Sequence, residues 1–203
     1  VDSACGGRLK RLLGRGDFPG KLAETLLLAD LPGIGATRVL LTGLGPKKGY
    51  GRKAWRKAWG PAVAALTNTG IESAALAIER ADAKELDDYY FGRAVAEIAA
   101  TGLYRINDLK SGKKPKPSRL ERVLAGPVAK SAAAAVSRGL AHGAAIAEAS
   151  GIQRDLANLP ANVCTPAFLA EEGRALAKRY RSLRVRVLDE PAIRRDQMGC
   201  LLA

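Results

Sequence analysis

This chain has few cysteine and histidine residues, the side chains that most often act as nucleophiles, general bases or zinc ligands. There are three cysteines, Cys5, Cys164 and Cys200, and a single histidine, His142. Widely spaced cysteines in odd number argue against a disulfide framework and fit a reducing compartment, so we expect a cytoplasmic protein. A single histidine excludes a Ser-His-Asp triad and a histidine-based zinc site within these residues. Cys164 has no histidine beside it to activate it as a nucleophile, and we expect it to pack.

The acidic residues are mostly adjacent pairs or scattered positions. Three pairs, at 87–88, 171–172 and 189–190, lie at predicted helix starts or a strand end. Metal-holding carboxylates must converge from different elements, whereas carboxylates at helix starts accept bonds from free backbone N–H groups. We therefore predict capping roles, a structural role for a buried or partly exposed His142, and no catalytic or metal-ligating residue in this chain.

The basic residues outnumber the acidic ones. The formal net charge is +13, from 33 Lys and Arg against 20 Asp and Glu, which produces a positive field over part of the surface. This charge makes nucleic-acid binding the alternative function. Because few aromatic residues lie among the basic ones, binding would be phosphate-driven, such as non-specific DNA binding. The candidate residues form two clusters: Lys47, Lys48, Arg52 and Lys53, and Lys113, Lys114, Lys116 and Arg119.

A glycine-containing loop at residues 43–49 follows a predicted strand and precedes a predicted helix. That order is typical of a phosphate cradle, which leaves nucleotide binding as a third hypothesis. However, the third glycine comes one place late for the dinucleotide fingerprint, and Pro46 interrupts the loop. A structural turn is the favoured interpretation.

Hydrophobic periodicity predicts alternating strands and helices. The predicted strands are residues 25–29, 38–42, 73–78 and 120–125, and the predicted helices are 7–14, 52–66, 87–103 and 128–157. This order indicates an α/β domain with a helix-flanked, mostly parallel or mixed sheet. The charged stretch 110–119 is predicted to be an exposed loop. No apolar run approaches the ~20 residues of a membrane span, so we expect no membrane association.

Residues 154–166 separate two predicted domains. Asn158 tolerates the left-handed conformation that stops a helix, Pro160 cannot continue one, and Thr165-Pro166 is typical of a helix start. After this junction we predict a helix at 168–180, a strand at 184–188, a helix at 191–197 and a strand from 201. The predicted domains are 1–127, a linking helix and junction at 128–160, and the start of a second α/β domain at 161–203.

Several segments carry a resemblance that covers the whole chain. The longest is R-D-L-A-N-L-P-A-N-V-C-T-P at 154–166. Others are R-G-D-F at 15–18, E-T-L-L-L at 24–28, R-V-L-L at 38–41 and V-L-D-E at 187–190. Together they resemble the amino-terminal domain and the start of the catalytic domain of the leucyl aminopeptidase family, the two-metal cytosolic aminopeptidases.

This resemblance implies a metal-dependent enzyme that releases neutral, leucine-like amino-terminal residues from peptides and assembles as a homohexamer. It implies two divalent ions, Mn or Zn, in each full-length subunit. The family's N-T-D-A-E-G-R signature is absent, because Asn68-Thr69-Gly70 shares only its first two residues. Catalytic roles are therefore carried over to no residue here. We expect the catalytic residues to lie outside these 203 residues, and the fragment alone to be inactive.

Overall fold

The computed structural model of the chain describes residues 1–77, 85–106, 117–126 and 128–202. The chain divides into two compact units, 1–154 and 155–203. The division falls inside the last turn of a long helix, close to the predicted junction. The finer domain limits at residues 127 and 160 stay a prediction.

The first unit alternates helices with strands, as the periodicity predicts. Its elements are helix α1 (Arg8–Gly14), strands β1 (Thr25–Ala29) and β2 (Arg38–Thr42), helix α2 (Arg52–Thr67), strand β3 (Ser73–Ala77), helix α3 (Asp88–Leu103), strand β4 (Arg122–Gly126) and helix α4 (Ala133–Asn158). A 3-10 turn at Lys130–Ala132 takes the place of the first predicted turn of α4. Most of the predicted loop at 110–119 lies outside the described residues.

The strands pair in two ways. β1 and β2 are joined by a loop at residues 30–37 and pair antiparallel, with Leu27 opposite Leu40. β3 and β4 have α3 between them and pair in parallel, with Ala75 opposite Leu124, because a parallel pair needs a crossover connection. The α/β class and the mixed pairing are confirmed. In the described part of the chain, however, the strands form two two-stranded sheets and not the single predicted sheet.

The main core of the first unit lies between α2 and α3. The helical period predicts four inward side chains on each helix, and three of the four are buried in each case. They are Trp55, Val63 and Leu66 of α2 and Phe91, Val95 and Ile98 of α3, whereas Trp59 and Ala99 are half-buried. The Trp55 and Phe91 rings meet edge to face with their centroids 6.0 Å apart, a favoured aromatic geometry. Leu76 of β3 and Val136 of α4 complete this core. The 3.6-residue period therefore identified the packed faces correctly.

Glycines bring α3 and α4 into close contact. A Cβ atom on Gly139 would overlap the carbonyl oxygen of Tyr89, and one on Gly92 would overlap that of Val136. The glycines of α4 thus permit close packing against α3. The larger apolar residues of α4 are buried only near its start. Val136 is buried, whereas Ile146, farther along the helix, is 37% exposed.

The second unit contains helix α5 (Pro166–Arg179), helix α6 (Glu190–Arg195) and a 3-10 turn at Gly199–Leu201. The strand predicted at 184–188 is wrong, since this segment is irregular and has no ladder partner among the described residues. Its Val185 and Val187 are each 41% exposed. The strand predicted from 201 is also wrong for the described residues, because Leu201 ends the 3-10 turn. Alternation of valine and arginine is not sufficient for a strand without a neighbouring strand.

No helix in the described ranges is long and apolar enough to cross a membrane.

Candidate functional site

The predicted junction at 154–166 is built from a helix end and a capped helix start. α4 ends at Asn158 and α5 begins at Pro166, where proline's missing N–H group costs nothing. The Thr165 hydroxyl accepts a hydrogen bond from the Phe168 N–H at 3.2 Å, which satisfies one free donor of the first turn. The predicted helix stop and helix start are confirmed.

The way in which α4 stops differs from the prediction. The non-glycine residues with positive φ in the described chain are Ala23, Asp30 and Gln197, so Asn158 is not left-handed. The helix ends because Pro160 follows, and the Pro160 carbonyl then accepts bonds from the Val163 and Cys164 N–H groups, each at 2.9 Å. Cys164 is half-buried, and its packing role stays a prediction.

The acidic pairs cap helices and form exposed ion pairs. Asp87 accepts a bond from the Tyr90 N–H at 2.6 Å, and Asp189 accepts one from the Ala192 N–H at 3.0 Å. Glu171 pairs with Arg174 one turn later in α5. The predicted capping roles of the first and third pairs are confirmed.

The fit of a metal site can be tested on the donors that are present. Among the described residues no group of three or more His, Cys, Asp or Glu side chains lies close enough to hold a metal ion. His142 lies on an exposed part of α4, and its Nδ1 atom is 3.0 Å from the Tyr89 hydroxyl. The prediction that His142 is buried or partly exposed is therefore wrong. The predicted structural role agrees with its hydrogen bond to Tyr89. The described donors do not fit a two-metal centre.

The glycine loop after β2 packs against the segment before β1. The Gly43 N–H donates to the Glu24 carbonyl at 2.8 Å, and the Ala23 N–H donates to the Gly43 carbonyl at 2.9 Å. A Cβ atom on Gly43 would overlap the Lys21 carbonyl oxygen, and Gly45 has a φ of 72° that favours glycine. These contacts explain the glycines without a phosphate ligand, which supports the structural interpretation of the loop.

The first basic cluster lies at the start of α2. Arg52 donates from Nε to the Glu85 carbonyl at 2.6 Å, and its guanidinium lies 3.4 Å from the Asp87 carboxylate and 4.2 Å from the centroid of the Tyr90 ring. Arg52 thus ties the start of α2 to the start of α3. Lys48 and Lys53 are exposed nearby.

The second basic cluster is described only in part. Arg119 pairs with Glu72, whereas Lys113, Lys114 and Lys116 lie outside the described residues. Lys47 is exposed and makes a contact of its own. Because Arg52 and Arg119 already have acidic partners, they offer less free charge than the sequence suggests. Nucleic-acid binding by these eight residues stays a prediction.

An ion-pair network between α2 and α3 went unpredicted. Glu97 lies 2.8 Å from Arg56 of α2 and 2.6 Å from Arg93 of its own helix, and its side chain is 12% exposed. Burial raises the pKa of the Glu97 carboxyl, but hydrogen bonds from Arg93 and Arg56 outweigh burial and lower the pKa below its ordinary value. The i,i+4 spacing of Arg93 and Glu97 was the available signal.

The first unit is a packed α/β unit, and a second compact unit with two helices follows it along the chain. The model of the amino-terminal domain of the cytosol aminopeptidase family matches residues 1–113. The model of the catalytic domain of the same family matches residues 151–203. The chain belongs to the cytosol aminopeptidase family, which confirms the predicted resemblance.

Similar proteins agree with this assignment. The chain is 41% identical over 203 residues to a probable cytosol aminopeptidase of Stutzerimonas stutzeri and 40% identical to the cytosol aminopeptidase of Pseudomonas aeruginosa PAO1. It covers 40% and 41% of these relatives, so it spans about two fifths of their length.

Two solved structures share the fold. A mutant of tomato leucine aminopeptidase matches 96% of the chain and 37% of its own, with a TM-score of 0.75 and 26% identity. The bottromycin maturation enzyme BotP in complex with Mn matches 81% of the chain and 32% of its own, with a TM-score of 0.64 and 30% identity.

Proposed function

We propose that the complete protein is a metal-dependent aminopeptidase that releases neutral, leucine-like amino-terminal residues from peptides. The observation that carries this proposal is the order of the two family matches, with the amino-terminal domain at 1–113 and the catalytic domain at 151–203. The capped start of α5 lies within the second match. The aminopeptidase names of the relatives support the same reaction class.

In this proposal the chemistry belongs to residues of the catalytic domain that these 203 residues do not contain. The catalytic-domain match begins only at residue 151, and the described donors do not fit a two-metal centre. Two divalent ions, Mn or Zn, would be held in that remaining part. The Mn named for the BotP structure supports a divalent ion in a related fold.

The described residues would then have a supporting role. The first unit would shape assembly, which we propose to be a homohexamer in the cytoplasm, and would limit substrate access. The proposed domains are 1–127, the linking helix and junction at 128–160, and the start of the catalytic domain at 161–203. Thr165 and Pro160 would fix the chain direction at the entry to the catalytic domain.

A comparison of two protein preparations tests the proposal. The complete gene product and the 203-residue chain are each assayed with a leucyl anilide and titrated calorimetrically with Mn²⁺ and with Zn²⁺. We expect turnover and metal uptake only in the complete protein. Turnover or stoichiometric metal binding by the 203-residue chain would place a site in these residues, and an inactive, metal-loaded complete protein would contradict the proposed activity.

A further inference from the structure

A cleft beside α1 is lined by an unusual concentration of arginine. Arg8, Arg11 and Arg15 form its charged walls, Asp17 contributes one carboxylate, and Leu12 and Pro32 contribute apolar surface. The cleft has a volume of about 390 Å³, within the range of about 300–1,000 Å³ that is usual for small-molecule sites.

Arg8 and Arg11 lie on α1, and Arg15, the residue that follows it, keeps a helical backbone conformation with φ −80° and ψ −12°. Positions i, i+3 and i+7 lie on one side of a helix, and all three arginines line the cleft. Like charges at this spacing destabilise an isolated helix by about 0.2–0.5 kcal/mol for each pair. An anion between the arginines would convert this repulsion into attraction.

The arginines have donors to offer. Arg11 is held in place because its Nη1 atom donates to the Gly6 carbonyl at 3.0 Å, which leaves its other N–H groups free to turn toward the cleft. In the part of the chain that the structure describes, neither Arg8 nor Arg15 forms an ion pair, although Asp17 lines the same cleft.

Both walls of the cleft belong to one packed body. Cys5, Leu9 and Leu31 form a small core that docks α1 on the β1–β2 hairpin, and they are 4%, 8% and 5% exposed. The backbone at Gly33 approaches the Ala4 carbonyl so closely that a Cβ atom would overlap it. The arginine side and the Pro32 side are thereby held at a fixed separation.

We infer that this cleft binds a phosphate-bearing dianion through Arg8, Arg11 and Arg15. Planar guanidinium forks match the oxygen atoms of a phosphate group in paired hydrogen bonds, and a phosphate group carries about −1.5 to −2 charges at pH 7. Leu12 and Pro32 provide contact for a small organic part, and Asp17 provides an acceptor for a hydroxyl group. The site lies in the first unit and does not depend on aminopeptidase activity.

Calorimetric titration of the complete protein tests this inference, with inorganic phosphate, glycerol 3-phosphate and acetate as probes at constant ionic strength. We expect saturable binding of the two phosphate compounds and at least about tenfold weaker binding of acetate, since acetate has one charge and two oxygens. Tighter binding of glycerol 3-phosphate than of inorganic phosphate would show that Leu12 and Pro32 contact the organic part of the ligand. No saturable binding of either phosphate compound would overturn the inference.

A matched pair of double variants distinguishes specific binding in the cleft from general attraction by the positive charge of the protein. R8Q/R15Q removes two charges from the cleft, and K10Q/K21Q removes two exposed charges of the same region that do not line it. We expect R8Q/R15Q to weaken phosphate binding at least about tenfold and K10Q/K21Q less than about twofold. Equal weakening would show that only the overall charge attracts phosphate. If R8Q/R15Q does not fold, R8K/R15K keeps the charge, and undiminished binding by it would contradict paired guanidinium bonds.

Discussion

The Arg56 guanidinium lies 2.8 Å from the Glu97 carboxylate and joins α2 to α3 across the edge of the main core. Arg93 approaches the same carboxylate from its own helix at 2.6 Å. Because Glu97 is only 12% exposed, its charge is stabilised mainly by these two partners and less by water. Removal of that charge should therefore be measurable in the stability of the first unit.

Glu97→Gln is expected to lower the free energy of unfolding by about 1 kcal/mol at pH 7, since part of the interaction is solvent-screened. The folded pKa of Glu97 lies below its unfolded value, so this stabilisation is present above the unfolded pKa of about 4.3. It is lost as the pH falls through the folded pKa. Urea unfolding at pH 7 and at acidic pH measures the difference between variant and parent, which should shrink in acid.

Glu171→Gln is the control for that experiment. Glu171 also pairs with an arginine in its own helix, but its side chain is 69% exposed. We expect a change within about 0.5 kcal/mol. An effect of Glu171→Gln as large as that of Glu97→Gln would show that burial does not distinguish the two pairs.

Gly139→Ala should destabilise the first unit by about 2 kcal/mol or more. The new Cβ atom would overlap the Tyr89 carbonyl and force α3 and α4 apart. Gly151→Ala in the same helix has nothing within 4 Å and should stabilise by about 0.5–1 kcal/mol through lower backbone entropy in the unfolded chain. Thermal unfolding of both variants is the measurement, and shifts of the same sign would contradict close helix contact.

Gly43→Ala should disrupt the loop after β2, because the added Cβ atom would overlap the Lys21 carbonyl. The hydrogen bonds between residues 23–24 and Gly43 would break first, so amide exchange at Ala23 should accelerate. Gly35→Ala is the matched control, since nothing lies within 4 Å of a Cβ atom there. Unchanged exchange in Gly43→Ala would show that the loop does not need its glycine.

Thr165→Ala should cost about 1 kcal/mol in the stability of α5 because the first turn loses its side-chain acceptor. The local sign would be faster amide exchange at Phe168. Thr165→Ser retains the hydroxyl group and should leave this exchange within about twofold of the parent. Equally accelerated amide exchange in both variants would show that the Thr165 hydroxyl does not stabilise the start of α5.

The sequence by itself determined the local structure of the first unit, the start of α5 and the family. The 3.6-residue period of Trp55 and Val63 identified the buried face of α2, and Thr165-Pro166 identified the start of α5 because capping is a local property. The amino-acid sequence of the junction at 154–166, together with the other segments that resemble the family, was specific enough to identify the family.

Tertiary structure decided what depends on neighbours distant in sequence. The alternation of valine and arginine at 184–188 predicted a strand, but a ladder needs a partner, which the described residues do not provide. Likewise, the contact of Arg56 with Glu97 and the convergence of Arg8 and Arg15 on one cleft depend on packing, because charge pattern alone does not give distance. Glycine is required at positions 43 and 139 because a carbonyl oxygen from another segment lies where a Cβ atom would be.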